Sequence, residues 1–318
     1  MSADVTLGTA AIDSEGTAPL PAAVATPPLI GDLLTKPARS PWRIALDRFK
    51  QSPLAILGLI VIVAMSLLAI FASYVAPYAE NEIDLFNITA KPSAEHRLGT
   101  DELGRDELSR LLYGGRISLS VGVGAAIIST VIGIIVGAIA GFYGGWIDTL
   151  LMRFVDLMLA FPAIFLLLIL FAMYGSSVLS VVVFLGAFSW MWLARVIRGE
   201  FMSLKERDFV EAARSIGVPN GLIIRRHLLP NVTAAIIVAT TLNVAYAMLA
   251  EATLSFLGFG VPPETPTWGN TLNAARPNYV TVPLLAIAPG LTLTIAVLAI
   301  NFVGDGLRDA FDPRGRRS

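Results

Sequence analysis

Six long apolar stretches set the strongest limit on what this chain can fold into. They cover approximately residues 54–76, 117–141, 151–174, 178–196, 232–256 and 283–304. A helix rises about 1.5 Å per residue, so about 20 apolar residues cross the roughly 30 Å of hydrocarbon in a bilayer. Because no water reaches the backbone at that depth, uninterrupted apolar runs of this length indicate helices rather than barrel strands. The chain is predicted to be an all-α membrane protein with six transmembrane helices.

The bulk composition agrees with a membrane protein and excludes several classes of site. Of the 318 residues, 55% are hydrophobic and only 15% are charged, and the mean hydropathy is +0.70. The absence of cysteine excludes disulfides, thiolate zinc sites and cysteine nucleophiles. A net charge of -1 provides no basic field for nucleic acid. The two histidines are predicted on opposite sides of the membrane, so no shared metal site is expected.

Basic residues are distributed unevenly among the segments that join the apolar stretches. If both termini lie on one side, 17 of the 23 Lys and Arg residues fall on that side and six on the other. Basic residues concentrate on the cytoplasmic side of membrane proteins, so both termini are predicted to be cytoplasmic. The outer segment 77–116 carries five basic residues against this trend, but the region 205–226 is the most basic connection.

Two segments before the first span differ in composition. Residues 1–35 contain no Lys or Arg and are rich in Ala, Pro and Thr. This composition lacks the basic start of a secretory signal and predicts a disordered cytoplasmic tail. Residues 36–53 are predicted to contain an interfacial helix, because Trp42, Leu46 and Phe49 share one helical face.

Glycines and prolines inside the spans predict how the helices pack. Gly133, Gly137 and Gly141 recur every four residues in the second span, a row that lets another helix approach closely. Pro162 in the third span and Pro289 in the sixth each remove a helical hydrogen bond and predict kinks. A tightly packed bundle is expected, in which the kinks serve as hinges or as packing features.

The connection between the fourth and fifth spans contains an amphipathic segment, EAARSIGVPNGLIIRRHLLPN, at residues 211–231. Four apolar residues just before and within it share one helical face: Phe209, Ala212, Ala213 and Ile216. Gly217 can end this helix in a left-handed conformation, and Pro219 prevents its resumption. A second helical piece follows and is expected to stop at Pro230. The result is a helical elbow on the cytoplasmic side.

Two roles suit this predicted elbow. It could lie on the lipid surface, with Arg225 and Arg226 as anchors for headgroups. Ala212 and Ala213, however, make a poor membrane anchor and a good surface for close protein docking. We therefore interpret the elbow as a docking element.

The elbow also resembles a known motif. Glu211-Ala212-Ala213, then Gly217, then His227-Leu228-Leu229-Pro230 are similar in identity and spacing to the EAA loop of ABC importer permeases. In that family the loop is a coupling helix seated in a cleft of the ATP-binding subunit. The resemblance implies a coupling role for a set of residues in the elbow: Phe209, Glu211, Ala212, Ala213, Ile216, Gly217, His227 and Pro230.

A second resemblance concerns the segment before the second span. Its motif residues are similar to those of dipeptide, oligopeptide and nickel permeases: His96, Gly99, Thr100, Asp101, Gly104, Arg105, Asp106, Ser109, Arg110, Gly114 and Arg116. The similarity continues through Leu159-Ala160-Phe161-Pro162, Leu254-Ser255-Phe256-Leu257-Gly258 and Gly304-Asp305-Gly306-Leu307-Arg308-Asp309, so that it covers about residues 42–316.

These resemblances imply a complete architecture and a function. Residues 54–318 would be a permease domain of the type I ABC importer fold in the bacterial inner membrane, with 197–231 as its cytoplasmic coupling loop. The segments 77–116 and 257–282 would face a solute-binding protein in the periplasm. The other partners would be a second permease subunit, two ATP-binding subunits that carry ATP and Mg, and membrane lipid. Peptides or related small solutes would be transported, including dipeptides, oligopeptides, glutathione or nickel chelates.

The outer segments also permit a local structural prediction. Residues 101–113 can form a surface helix with Leu108, Leu111 and Leu112 facing the bundle and Gly114-Gly115 ending it. The charged residues of this helix are available for salt bridges among themselves. The proline-rich loop 257–283 is expected to be stiff and exposed.

Ionisable groups at membrane depth each require an explanation, because insertion costs at least about 2.5 kcal/mol. Asp156 is expected to pair with Arg153 or Arg195. Glu251 is a candidate for the solute path, with Asn243 deeper in the same span, although bracing between helices is an equal alternative for Glu251.

A proton-coupled secondary transporter would instead use Asp156 and Glu251 as proton carriers. An intramembrane hydrolase is remote, because neither histidine lies inside a span. The sequence contains no phosphate-binding G-x-x-x-x-G-K-[ST] motif and no G-x-S-x-G motif. The chain is therefore expected to have no ATPase site and no catalytic residues of its own.

Overall fold

The computed structural model describes residues 41–312, so the predicted tail 1–35 lies outside the described residues. Within this range the regular structure is helical, with one isolated bridge between Thr100 and Asp106. The α-helices in chain order are α1 Pro41–Phe49, α2 Pro53–Ile70, α3 Ala72–Val75, α4 Glu107–Tyr143, α5 Gly145–Ala160, α6 Ala163–Tyr174, α7 Val178–Phe188, α8 Trp190–Leu204, α9 Asp208–Ser215, α10 Asn220–Ile223, α11 Leu229–Phe256, α12 Trp268–Ala274 and α13 Leu284–Phe311. A π-helical turn, Ile224–Leu228, joins α10 to α11.

Five of the described helical segments are long and apolar enough to cross a membrane. They are α2, α4, the α7–α8 segment, the segment from α10 to α11, and α13. The sixth predicted span is the bent pair α5 and α6, whose axes differ by 80°. The all-α fold with up to six spans agrees with the prediction.

The third predicted span, 151–174, is not one kinked helix. It begins earlier, at Gly145, and breaks completely at Phe161 and Pro162. Proline has no N–H to continue the helix, and its ring disfavours helical geometry in the residue before it. Phe161 accordingly adopts an extended conformation.

The helix predicted over 101–113 starts instead at Glu107 and continues through Gly114-Gly115 into the second span. Asp106 caps it, and its side chain accepts a hydrogen bond from the backbone N–H of Ser109 at 2.8 Å. The predicted inward face of Leu108, Leu111 and Leu112 is confirmed only in part: Leu111 packs against the buried cluster that contains Met248 and Trp268, but all three leucines are half-buried while polar neighbours are buried. The glycine pair does not end the helix. It provides space for the backbone of Thr267 and the ring of Trp268.

The connection predicted over 197–231 is shorter in the structure. Helix α8 continues to Leu204. After the short helix α9, the helical segment that contains the fifth span begins at Asn220 and runs without a break to Phe256. Pro230 therefore does not stop the helix. It lies in the first turn after the π-helical turn, where the hydrogen-bond register has already shifted and a missing N–H is tolerated.

Two other predictions concerned proline. Pro289 lies inside α13, which continues past it, and it removes one hydrogen bond from the second turn of the helix. The loop 257–283 is not generally exposed. It contains α12, whose first four residues, Trp268 to Thr271, are buried.

Helix α4 lies at the centre of the bundle, and its glycine row faces α8. An added Cβ would lie 3.0 Å from Leu193 Cγ at Gly133, 2.5 Å from the Ala194 carbonyl oxygen at Gly137, and 2.7 Å from the Arg198 carbonyl oxygen at Gly141. The backbones of α4 and α8 therefore approach closely at Gly137 and Gly141, whereas Gly133 leaves room for the Leu193 side chain.

Helix α1 packs against the end of α13. The ring of Trp42 meets that of Phe311 edge-on at 5.3 Å, and Arg48 donates a hydrogen bond to the carbonyl oxygen of Asp312 at 2.6 Å. Trp42 and Leu46 are more than half exposed. They are two of the three residues of the apolar face that was predicted to lie at the membrane interface. The part of the predicted helix before Pro41 lies outside the described residues.

Candidate functional site

Helix α9 lies at the end of the bundle that the basic residues predict to be the inner one, and it is held by one of its faces. Val210 and Ala213 are buried, at 0% and 5% exposure, in a cluster with Phe201, Ile223 and Leu228. This cluster joins α8, α9 and the start of the fifth predicted span. The helix is thus fixed on the bundle by its own apolar residues.

The face of α9 that adjoins these buried residues is apolar but open. Phe209 is 41% exposed, Ile216 is 81% exposed, and Ala212 is also exposed. The four-residue stripe proposed from the sequence is therefore divided. Ala213 points into the bundle, while the other three remain on the surface. Val210, which was not among the predicted residues, is fully buried and anchors α9 to the bundle. Its position next to Phe209 in the sequence does not mark it as part of the predicted apolar stripe.

The end of α9 is shaped by Gly217. Its φ of +78° is in the left-handed region, and its N–H donates to the carbonyl oxygen of Arg214 at 2.9 Å. The Arg214 guanidinium lies 5.4 Å from the centre of the Phe142 ring, at the end of α4. The elbow is thus connected to α4 as well as to α8.

The remaining elbow residues lie on different parts of this structure. Glu211 is exposed on α9, and its carbonyl oxygen accepts a hydrogen bond from the Ser215 hydroxyl at 3.0 Å. His227 lies in the π-helical turn, where its carbonyl oxygen accepts from the Asn231 amide at 2.6 Å. Pro230 is exposed in the first turn of α11. These three residues support the shape of the elbow rather than one common surface.

The motif residues from His96 to Arg116, here named the outer motif after their predicted periplasmic side, form a buried ionic cluster at the start of α4. Arg105 donates to Asp101 at 2.7 Å, and Asp101 also accepts the N–H groups of Leu103 and Arg105, both at 2.9 Å. Asp106 contacts His96 at 2.9 Å. Asp101 and Asp106 are each no more than 3% exposed. Because each carboxylate has several donors, this cluster is satisfied mainly inside the chain.

Arg110 and Arg116 extend the cluster to other elements. Arg110 donates to the side chain of Asn81 and to the carbonyl oxygen of Pro263, both at 3.1 Å. Arg116 donates to the carbonyl oxygens of Ala69 and Ile70, both at 2.7 Å, and so satisfies the end of α2. The motif therefore ties both outer segments to the helices.

The other motif residues determine the conformation of the backbone in this loop. Gly99 and Gly104 have φ of +87° and +77°, which disfavour any residue with a side chain. Thr100 is fully buried and its hydroxyl hydrogen-bonds to the backbone of Asn87 and Ala90. The residues of the outer motif fix a loop, and His96, Gly104 and Asp106 also line an open cavity of about 330 Å³ together with Leu85 and Phe86.

Glu251 lies inside a network of hydrogen bonds. It is 0% exposed, and its carboxylate accepts from Ser255 at 2.7 Å and from Ser118 at 3.3 Å. The Ser118 hydroxyl in turn accepts the N–H of Trp268 at 3.1 Å. The network joins α4, α11 and α12. Within the chain these contacts favour the bracing alternative over a solute-facing position.

Asn243 and Asp156 also have partners within the chain. The Asn243 amide donates to the Ser129 hydroxyl at 2.8 Å, so it bridges α11 and α4 and is half-buried. Asp156 pairs with Arg195 at 2.6 Å, one of its two expected partners, and both side chains are about half exposed. A second pair, Arg198 with Asp148 at 2.5 Å, also joins α5 to α8.

An open groove of about 690 Å³ lies between α8, α11 and α13 near their inner ends. Its lining combines an aromatic ring, polar groups and charges of both signs: Trp192, Glu200, Asn231, Arg308 and Asp312. No pattern in the sequence indicates this groove, because its residues come from three distant segments of the chain. Among the described residues, no group of three or more His, Asp or Glu side chains is arranged for a metal ion.

Two family models match the chain. The model described as "Binding-protein-dependent transport system inner membrane component" matches residues 133–317. The model described as "N-terminal TM domain of oligopeptide transport permease C" matches residues 40–92. Together they cover most of the chain.

Relatives of similar sequence are described as transport system permease proteins. Relatives described as "Glutathione transport system permease protein GsiD", from Escherichia coli O157:H7 and from Shigella sonnei strain Ss046, are each 43% identical over 284 residues, 88% of this chain and 94% of the relative. A solved structure titled "Inward facing conformations of the MetNI methionine ABC transporter" contains a chain with a TM-score of 0.52 and 20% identity. The match covers 63% of this chain and 96% of that one, and it supports the fold.

Proposed function

The chain belongs to the family of binding-protein-dependent transport system inner membrane components, and we propose that α9 is the element through which it receives work from ATP hydrolysis. It is a permease subunit of an ABC importer and a multi-pass protein of the bacterial inner membrane. The finer parts of the proposal concern the coupling residues, the partners, the orientation and the solute.

One observation carries the coupling proposal. Helix α9 is seated on the bundle by Val210 and Ala213, and it presents Phe209, Ala212 and Ile216 to the surroundings. A surface helix normally turns its apolar side chains inward, so an apolar stripe that extends past the buried residues onto an open, adjoining face indicates a second protein. The small Ala212 between two larger side chains permits close approach of that protein.

The path of the motion follows from helix continuity. The segment from Asn220 to Phe256 is helical throughout and begins next to α9. At about 1.5 Å per residue it extends roughly 55 Å. A displacement of α9 at the inner end would therefore be carried to the outer end, where Glu251 joins this segment to α4 and α12. Conformational change of this kind requires that ATP and the loaded binding protein favour different states.

The proposed assembly has this chain paired with a second permease, with two ATP-binding subunits that hold ATP and Mg on the cytoplasmic side. Both termini and α9 would then be cytoplasmic, in agreement with the distribution of basic residues. The outer segments would face the solute-binding protein. The proton-coupled alternative loses support, because Asp156 is paired with Arg195 and Glu251 is enclosed by serines.

The proposed solutes are peptide-like molecules, glutathione among them, on the basis of the glutathione permeases that are 43% identical. The inner groove offers a cation, carboxylates and an aromatic ring, which suit a zwitterionic peptide. Asn243 remains a candidate for the path, at the half-buried surface of α11. Identification of the ligand that co-purifies with the binding protein tests the solute assignment, and a ligand without peptide character would contradict it.

A crosslinking experiment tests the coupling face directly. The chain has no cysteine, so Ala212→Cys gives this subunit a single thiol. In the purified complex in nanodiscs, a thiol-to-amine crosslinker at this position is expected to capture an ATP-binding subunit, with a yield that changes when ATP is added. Ala213→Cys is the matched control, because Ala213 is buried against the bundle and is expected to give little product.

Two outcomes would overturn the coupling proposal. One is that Ala212→Cys captures no ATP-binding subunit in a complex that hydrolyses ATP. The other is that Ala213→Cys captures it equally well, since the open face would then not be the contact.

A further inference from the structure

The outer segment between α3 and α4 contains a turn whose tip is apolar. Asp84, Leu85, Phe86 and Asn87 form a closed turn, in which the Asn87 N–H donates to the Asp84 carbonyl oxygen at 3.1 Å. The Asp84 carboxylate accepts the N–H of Phe86 at 3.0 Å and the amide of Asn87 at 2.7 Å. The hydrogen bond from Asn87 lowers the pKa of Asp84, so the carboxylate that closes the turn is ionised at neutral pH.

This turn is fixed from beneath by the outer motif. The Asp84 N–H donates to the Gly104 carbonyl oxygen at 3.1 Å, and the Thr100 hydroxyl donates to the Asn87 carbonyl oxygen. Any Cβ at Gly104 would overlap the backbone of Asp84. The buried cluster around Asp101 thus supports a rigid turn, and a rigid loop loses little entropy when a partner binds it.

The tip is strongly exposed. Phe86 is 99% exposed and Leu85 is 71% exposed, with Ile83 and Ile88 at least half exposed on either side. Two large apolar side chains held in water by a rigid turn do not contribute to a core. Aromatic side chains in such positions are frequent anchors of protein interfaces.

A lipid surface is a poor match for this tip. Residues 79–90 contain three acidic residues and no Lys or Arg, whereas lipid-binding segments are enriched in basic residues. The backbone here is irregular, and irregular backbone exposed to lipid is not found within hydrocarbon. The tip is therefore expected to remain in the aqueous phase.

The surroundings of the tip match a water-soluble protein. Ile83 lines an open cavity of about 1020 Å³ between this segment and the loop that contains α12. Charges of both signs are also present in the lining: Glu102, Arg105, Glu264 and Arg276. Apolar anchors beside a polar, mixed-charge rim are typical of an interface between soluble proteins that form and dissociate.

We propose that Leu85 and Phe86 are the apolar anchor on which the solute-binding protein docks, with the adjacent cavity receiving a projecting part of that protein. This proposal rests on the proposed function, because it assumes an importer served by such a protein. It adds the residues of contact and the reason for the outer motif, which is to hold the turn.

Photocrosslinking identifies the occupant. With p-benzoylphenylalanine in place of Phe86 in the full complex, irradiation in the presence of the binding protein is expected to give an adduct of the two. The same group in place of Tyr174, which is 70% exposed at the end of α6, serves as the control and is expected to give no such adduct. An adduct from position 86 with the second permease or with lipid, in place of the binding protein, would overturn the proposal.

Two variants measure the docking itself, through the binding-protein concentration that half-saturates ATPase stimulation. The double variant Leu85→Ala/Phe86→Ala removes the side chains and is expected to raise this concentration more than about tenfold, the size of an interface hot spot. Gly104→Ala keeps both side chains but displaces the turn, and it is expected to raise the concentration in the same direction.

The two proposals can fail separately. A wild-type half-saturation in the Leu85→Ala/Phe86→Ala complex overturns the docking proposal and leaves the proposed function in place. A wild-type complex whose ATPase responds to no binding protein overturns the proposed function, and the docking proposal falls with it.

Discussion

The two ends of this molecule invert the usual distribution of polar and apolar groups. At the outer end, charged side chains such as Asp101 and Arg110 are buried, at 3% and 1% exposure. At the inner end, Ile216 and Phe209 are apolar and open. The outer cluster finds most of its hydrogen-bond partners within the chain, although Glu107 Oε1 and Arg110 Nε are buried without one. The inner helix leaves apolar side chains open that no other part of the described chain covers. The charged groups are therefore largely satisfied within the chain, whereas the open apolar groups are not.

The outer motif shows that a dense sequence signature need not mark a binding site. Asp101, Asp106 and Gly104 are all required to hold the loop, through ionic hydrogen bonds or through positive φ. The exposed turn above them, Leu85 and Phe86, has no comparable motif of its own. Function at this end is therefore proposed for residues that the motif supports rather than for the motif.

The largest effect is expected from breaking the buried cluster. Asp101→Ala removes the acceptor of Arg105 and leaves a buried guanidinium unpaired, which should cost about 3–5 kcal/mol of folding free energy. Denaturant unfolding of the purified permease in detergent measures this loss. Asp156→Ala is the matched control, since it breaks an Asp–Arg pair whose side chains are half exposed within the chain, and it should cost less than Asp101→Ala. Equal losses in the two variants would mean that burial does not distinguish the two pairs.

An intermediate effect is expected in the helix packing that supports the inner end. Gly137→Ala places a Cβ 2.5 Å from the carbonyl oxygen of Ala194, so α4 and α8 must separate, at a cost of about 1–3 kcal/mol. Gly199→Ala on α8 has no atom within 4 Å and should be neutral or stabilising by up to about 1 kcal/mol, because alanine favours helix. The same unfolding measurement compares them, and a neutral Gly137→Ala would contradict the close packing.

The smallest effect on stability, with a large effect on coupling, is expected at the open face. Ile216→Ser should change the free energy of unfolding by less than about 0.5 kcal/mol, because the side chain is 81% exposed. In the assembled complex it should weaken capture of the ATP-binding subunit. Val210→Ser is the opposite case, since Val210 is fully buried and its loss should destabilise the chain itself. If Ile216→Ser lowers stability as much as Val210→Ser, α9 has no free face.

Part of the site could be derived from sequence and part could not. The glycine spacing from Gly133 to Gly141 predicted a close helix contact, but nothing in it named α8 as the neighbour. Helical spacing grouped Ala213 with Ala212, yet only the position of Phe201 beneath the elbow decided that Ala213 turns inward. A periodicity defines a face of a helix and does not define what lies opposite.

The sequence by itself determined that the chain is a bundle of membrane-length helices. Crossing the hydrocarbon of a bilayer requires long apolar runs, and residues such as proline that cannot continue a helix limit those runs. It also determined where an elbow must interrupt them. Tertiary structure alone decided that Gly114 continues a helix against Thr267 and that Glu251 is enclosed by Ser118 and Ser255. These outcomes depend on contacts between residues far apart in the chain, whose free energies outweigh local preferences.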